Sequence, residues 1–246
     1  MAIFFFSGSN IYVEGICHNG TLTLDIHNHT IDNVNFTRCR FRTINDNYVS
    51  STNYNINLTF TSCKITNDFT INNRFQNTVS FVNSYVANAD MISSIIGSMY
   101  FINCIYEINL GKYSDLGSSL FQNCIILGKG KGNLSSYTDA YNCVAISENT
   151  LFDNVTSNTT NVVVDDYANL FKTYRGTYSD TETFELTDEA KATFLGDDGT
   201  QIGIYGGISP YNPIPEIPRI MKFEVDRKSS SDGKLNVNVE VSATGK

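Results

Sequence analysis

Apolar and polar positions alternate in short runs that recur along the chain at a nearly constant interval. Between Phe36 and Ala145 the frame is Phe, any residue, a polar residue that is often Asn, Cys, any residue and an apolar residue. It reads FTRCRF from Phe36, FTSCKI from Phe60, FVNSYV from Phe81, FINCIY from Phe101, FQNCII from Phe121 and AYNCVA from Ala140. The fourth position is Cys39, Cys63, Ser84, Cys104, Cys124 and Cys143, at intervals of 24, 21, 20, 20 and 19 residues. A repeat of this length is the signature of a solenoid, whose units bury their apolar edges against one another.

Phe and Cys are both apolar but stand three apart, so a single straight strand would point them to opposite faces. A corner therefore lies between them. Asn83, Asn103, Asn123 and Asn142 occupy it, and Asn is the non-glycine residue that most readily takes the left-handed conformation a sharp bend needs. Phe41, Ile65, Val86, Tyr106, Ile126 and Ala145 follow the fourth position by two and face the same side as it. The abundance of Asn, Thr, Ser, Val, Ile, Tyr and Phe favours strands and turns over a helical repeat, and no leucine frame is present. The pattern predicts an all-β, single-stranded parallel β-helix, a solenoid with coils of about 20 residues stacked about 4.8 Å apart. Like residues would then form ladders: Phe and Cys inside, Asn at the bend with amides bonding coil to coil. The five ladder cysteines, Cys39, Cys63, Cys104, Cys124 and Cys143, are expected to be free, buried thiols, because in-register neighbours lie farther apart than a disulfide allows, while Cys17 lies outside the frame and its state is left open.

This frame resembles the right-handed parallel β-helix of the pectate-lyase type, and its N-C-x-I coils are similar to those of bacterial cell-surface β-helix repeat proteins. The resemblance covers roughly residues 36–207. It implies a right-handed coil, and it leaves function open, because the scaffold carries lyases, hydrolases, adhesins and phage tail proteins alike.

Beyond Leu151 the frame fades into ANLFKTYRG, FELTDEAKATFLG and DDGTQIGIYGG, which resembles the closing coils of such proteins. Thr187 with Asp188 and Glu189 can cap one helical turn ended by Gly196. The organisation expected is a β-helix over 1–207 with a closing cap near 187–207, a connector over 208–219 and a C-terminal β-hairpin over 220–246. All four prolines fall between Pro210 and Pro218, which forces an extended connector. The apolar start MAIFFFSGSN is too short and lacks the basic flank of a signal peptide, so it reads as a first strand or cap.

Charged residues make up 17% of the chain and the net charge is −8, which argues against a nucleic-acid partner. No apolar run reaches the roughly 20 residues of a membrane span. No cofactor motif is present: the glycines around Lys129 and Lys131 lack the Gly-Lys-Ser/Thr ending of a phosphate loop. Three groups of side chains carry candidate chemistry. Asp46, Asp68 and Asp90 fall at offsets of 7, 5 and 6 from the fourth repeat position, so they could stack into an acidic column able to cleave polysaccharide. Arg40 aligns over Lys64 as a basic stripe for an acidic sugar, with Tyr48, Tyr54 and Tyr113 as aromatic contacts. Asp25, His27 and His29 share one side of a strand at a spacing that can bind a transition metal.

The leading expectation is a noncatalytic, extracellular or cell-surface protein that contacts carbohydrate through outer faces and loops. A polysaccharide lyase or glycoside hydrolase using the stacked Asp residues is the alternative. A structural part of a phage tail or surface fibre, placed on a virion and bound to other fibre proteins, is the third.

Overall fold

The computed structural model describes residues 8–24, 31–46, 56–71, 77–91, 97–109, 118–129, 134, 136–146, 151–213, 219–225 and 237–242. Among the described residues two parallel sheets share eight stacked coils. The first sheet runs through strands Gly8–Glu14, Ile31–Thr37, Ile56–Thr61, Asn77–Val82, Ser98–Ile102, Ser118–Gln122, Thr138–Tyr141 and Ser157–Thr159. The second runs through Cys17–Leu24, Arg40–Asp46, Lys64–Ile71, Tyr85–Ala87, Ile105–Asn109, Ile125–Lys129, Val144–Ile146 and Val162–Val164, with the short strand Ala89–Met91 also pairing to Lys64–Ile71. Each coil gives one strand to the first sheet, turns a corner and gives the next strand to the second. This is the parallel β-solenoid read from the repeat.

The corner is a column of left-handed residues: Gly15, Arg38, Ser62, Asn83, Asn103, Asn123, Asn142 and Thr160, with φ between 48° and 72°. Backbone bonds join the corners from coil to coil, for example Asn83 N–H to Ile102 O at 3.0 Å and Asn103 N–H to Gln122 O at 2.9 Å. The Asn amides, in contrast, do not form the expected ladder. Asn142 Nδ2 reaches Asn123 Oδ1 at 3.5 Å, but Asn83 and Asn123 turn their amides to a different segment, described below. What selects Asn here is tolerance of positive φ, which the early coils obtain from Arg38 and Ser62 at greater strain.

Inside, Phe36, Phe60, Phe81, Phe101 and Phe121 stand in register. Their rings stack at centroid distances of 4.9, 5.2, 5.0 and 4.5 Å. Burying one such side chain contributes roughly 1.5–3 kcal/mol. Phe41, Ile65, Val86, Tyr106, Ile126 and Ala145 close the interior from the second sheet.

The fourth repeat position does more than fill space. All six cysteines are free thiols, and in the ladder Cys63 and Cys124 bond in two directions. The backbone N–H of Cys104 donates to Cys124 Sγ at 3.4 Å, and Cys124 Sγ–H donates back to Phe101 O at 3.2 Å. Ser84 does the same in its coil, accepting from Cys63 N–H at 3.0 Å and donating to Phe60 O at 3.2 Å. In the last coil Asn161 accepts from Cys143 N–H and donates to Ala140 O, both at 2.8 Å. Cys, Ser and Asn share a short side chain with a donor and an acceptor, which satisfies two corner groups that would otherwise be buried unpaired. Burial pushes the Cys63, Cys124 and Cys143 thiols well above their usual pKa, which keeps the protons on sulfur.

From Asp165 to Tyr211 the chain leaves the coils and runs as a strap along the outside of the second sheet. It holds a 3-10 turn, Tyr167–Asn169, capped by Asp166, and one short helix, Asp188–Thr193, whose N-cap Thr187 accepts from Ala190 N–H. Leu170, Phe171, Tyr174, Phe184, Leu186, Ala190, Ile202 and Ile204 pack on Tyr85, Ala87, Ile105, Ile125, Leu127, Val144 and Ile146. The stretch expected to close the end of the solenoid lies instead beside its middle coils. Asn83 Nδ2 donates to Ile204 O at 3.0 Å and Gly206 O at 2.7 Å, and Gly203 N–H donates to Asn123 O at 2.9 Å. The reason is that these strands are apolar on their outward side too and need cover there.

Residues Met1–Tyr211 form one compact unit and Asn212–Lys246 a second. In the second, Arg219–Val225 pairs antiparallel with Val237–Ser242, with a register shift between Ile220 and Lys222.

Candidate functional site

The outward side of the second sheet carries one column read across the coils: Arg40, Lys64, Tyr85, Ile105, Ile125, Val144 and Val162. It passes from charged through aromatic to aliphatic. Arg40 and Lys64 are neighbours as expected, but they do not form an open basic stripe. Lys64 is 9% exposed. Its Nζ donates to Glu182 O at 2.8 Å and sits 5.6 Å from the Phe184 ring centre and 5.5 Å from that of Tyr211. Burial lowers its pKa most and Arg40 adds to this, while Glu182 and Asp180 oppose it. Arg40 pairs with Asp180 at 3.2 Å and donates to Asn19 Oδ1 at 2.5 Å. Both cations are spent anchoring the strap.

At the next coils the contact centres on Glu107, which is 8% exposed. Its Oε2 accepts from Tyr85 Oη at 2.6 Å and from Tyr174 Oη at 3.0 Å. Burial, followed by the nearby Glu107 charge, raises both phenols above their usual range. Tyr85 also stacks on Phe184 at 4.7 Å and Tyr178 at 5.1 Å. Farther along, Asp197 accepts from Gln122 Nε2 and Asn123 Nδ2, each at 2.6 Å, and these bonds hold its carboxyl below the usual range.

The three acids expected to stack do not share a column. Phe41 pairs with Ile65, yet Thr43 pairs with Asp68, so the coil of Lys64–Ile71 carries one extra residue. That bulge sets Asp68 beside Thr43, whereas Asp90 stands beside Thr70, the partner of Asn45. Asp46 lies one residue farther on. It is 8% exposed and shares the buried side of its strand with Phe41 and Ile44, while Asp68 is half-buried and hydrogen-bonded by Asn67. The geometry does not bring these carboxylates to one bond. Asp25, His27, His29, Tyr48, Tyr54 and Tyr113 lie outside the described residues. Among the described residues no three His, Cys, Asp or Glu side chains are grouped to hold a metal.

The outward side of the first sheet is different. One column reads Tyr12, Asn35, Thr59, Ser80, Tyr100, Leu120 and Asp139, and its neighbour reads Glu14, Thr37, Thr61, Val82, Ile102, Gln122 and Tyr141. Tyr12 is 61% exposed and Thr59, Ser80, Tyr100 and Leu120 are half-exposed. Glu14 is neutralised by Arg38 at 2.8 Å. The result is a face in which hydroxyl, amide and aromatic groups predominate at the strand spacing, interrupted by the aliphatic Val82, Ile102 and Leu120, with little net charge.

No protein-family model, curated protein or solved structure matches the chain.

The strap contacts were not foreseen from the sequence, although a signal exists. Ile125-Ile126-Leu127 and Val144-Ala145-Ile146 break the in-out alternation with unbroken apolar runs, the mark of a strand buried on both sides.

Proposed function

We propose that this protein is a noncatalytic binding rod that contacts polysaccharide through the outward side of its first sheet, and that it acts outside the cell as a relative of bacterial right-handed β-helix proteins. The observation that supports the reading is the contrast between the sheets: the strap packs on the outer side of one, and the other presents rows in which Tyr, Thr, Ser and Asn outnumber the aliphatic Val82, Ile102 and Leu120. Tyr rings offer apolar faces to sugar C–H groups, and the hydroxyl and amide side chains can donate to and accept from sugar hydroxyls. The lyase or hydrolase reading loses support, because Asp46, Asp68 and Asp90 stand at different register positions.

Affinity electrophoresis through gels containing neutral or acidic polysaccharides tests this. The expected result is retardation by at least one polysaccharide. Replacing Tyr12 and Tyr100 together by Ala should weaken it by about tenfold, equivalent to about 1.4 kcal/mol. Absence of retardation in every gel overturns the proposal. So does release of reducing ends or unsaturated uronate that Asp68→Ala or Asp90→Ala abolishes.

A further inference from the structure

The strap carries an open depression of about 400 Å³ lined by Thr183, Glu185, Lys191, Gln201 and Tyr205. Three stretches converge on it. Phe184 takes a left-handed φ of 57° and is buried, so its neighbours Thr183 and Glu185 are both turned outward. A bulky residue in that conformation is strained and is held by the bond from its N–H to Glu182 Oε1 at 2.9 Å. Lys191 comes from the short helix, and Gln201 and Tyr205 come from the glycine-rich return.

The lining keeps hydrogen-bonding capacity in reserve. Lys191 and Lys172 both reach Glu185 Oε1, at 3.1 and 2.8 Å, and leave Oε2 without either ammonium. Tyr205 Oη donates to Thr183 O at 2.7 Å and can still accept. The Gln201 amide and the Thr183 hydroxyl make no side-chain hydrogen bond to the described residues. Charge is balanced around the depression, with Lys172 and Lys191 facing Glu185 and Asp188. A balanced site offers no net attraction to an anion or cation, whereas a carboxylate beside an ammonium suits two adjacent hydroxyls, one donating and one accepting. An aromatic wall and a volume near the lower end of small-molecule sites limit the size of the occupant.

We propose that this depression is a binding site for a small neutral polyol of monosaccharide size. Glu185 Oε2 accepts one hydroxyl, Lys191 Nζ donates to its neighbour, the Gln201 amide bonds a third, and the Tyr205 ring flanks the sugar ring. The site is separate from the first sheet and stands whether or not that face binds a polysaccharide.

The test is an NMR titration of the whole chain with glucose, galactose and N-acetylglucosamine, with phosphate and glucuronate as anionic probes. At least one neutral sugar should shift the Gln201 side-chain amide saturably, in the millimolar range expected of so small and open a site, about −4 kcal/mol. Glu185→Gln should weaken that binding at least about fivefold, and Asp153→Asn, at an exposed position outside the depression and outside the first-sheet columns, should leave it unchanged. A flat response to all three sugars overturns the proposal. Tighter binding of phosphate or glucuronate than of every neutral sugar overturns it as well, and so does full binding by Glu185→Gln.

Discussion

The two outer sides of this solenoid belong to the same coils, turn at the same corner and follow the same period, yet among the described residues one is largely apolar and covered by the strap while the other is mostly polar and partly exposed. On the second sheet Tyr85, Ile105, Ile125 and Val144 occupy outward positions and are buried by the strap. On the first, Thr59, Ser80 and Tyr100 occupy the equivalent positions and are half-exposed. The repeat dictates which residues point in. What an outward residue becomes depends on whether another segment comes to cover it, which is a long-range event that the coil itself does not encode.

The interior that both sides share should be the most sensitive. Phe101→Ala removes a ring from the middle of the stack and should destabilise by roughly 3–5 kcal/mol in urea unfolding. A cost below about 1 kcal/mol would mean that the stack is not packed as described.

The sharpest test of the contrast compares two charges. Ile125→Asp places a carboxylate under the strap and should cost about 3 kcal/mol or more, whereas Thr59→Asp on the open side should stay within about 0.5 kcal/mol. Equal costs would show that the two sides do not differ in cover.

Corner residues separate backbone from side-chain roles. Asn83→Gly keeps the positive φ but removes two bonds to the strap, so it should cost about 1–3 kcal/mol. Asn142→Gly, whose amide is not bonded to the strap, should cost well under about 1 kcal/mol. The ladder gives a similar pair: Cys124→Ala orphans the Cys104 N–H and should cost about 1–3 kcal/mol, while Cys124→Ser keeps both bonds and should cost less. Equal losses from Ala and Ser would reduce these thiols to filling.

The smallest effect, and the one confined to the covered side, is alkaline loosening. Tyr85 and Tyr174 have raised pKa values in the folded state, and burial pushes Tyr178 up to about 12. Their contribution is therefore fully present below the unfolded phenol value of about 10 and is lost as pH rises above it. Near-ultraviolet absorbance should show tyrosines ionising together with loss of strap structure, and Glu107→Gln should shift that transition. Loss of strap structure near neutral pH would contradict the assignment.

Much of this was legible in the sequence because the solenoid repeats one local problem. Phe, corner and Cys recur at a spacing that only a coil satisfies, and each copy checks the others. Arg40 over Lys64 was readable for the same reason. The acidic column failed because the offsets of 7, 5 and 6 already differ, and the extra residue in Lys64–Ile71 widens the separation of Asp46 and Asp68 from two register positions to three. Asn and Cys were assigned to the right places with incomplete roles, since the partners of an amide or a thiol lie in other coils or in the strap.

By itself, then, the sequence determined the coil, its corner and its inward ladders, because those follow from periods of two and about 20 residues and from the φ preferences of Asn and Gly. Only the tertiary structure decided that residues 165–211 turn back along the second sheet, that Arg40, Lys64 and Glu107 anchor them, and that Thr59, Ser80 and Tyr100 on the first sheet stay partly exposed. No period links Asp180 to Arg40 or Asp197 to Asn123. Those contacts exist because an apolar outer side must be buried by whatever length of chain can reach it.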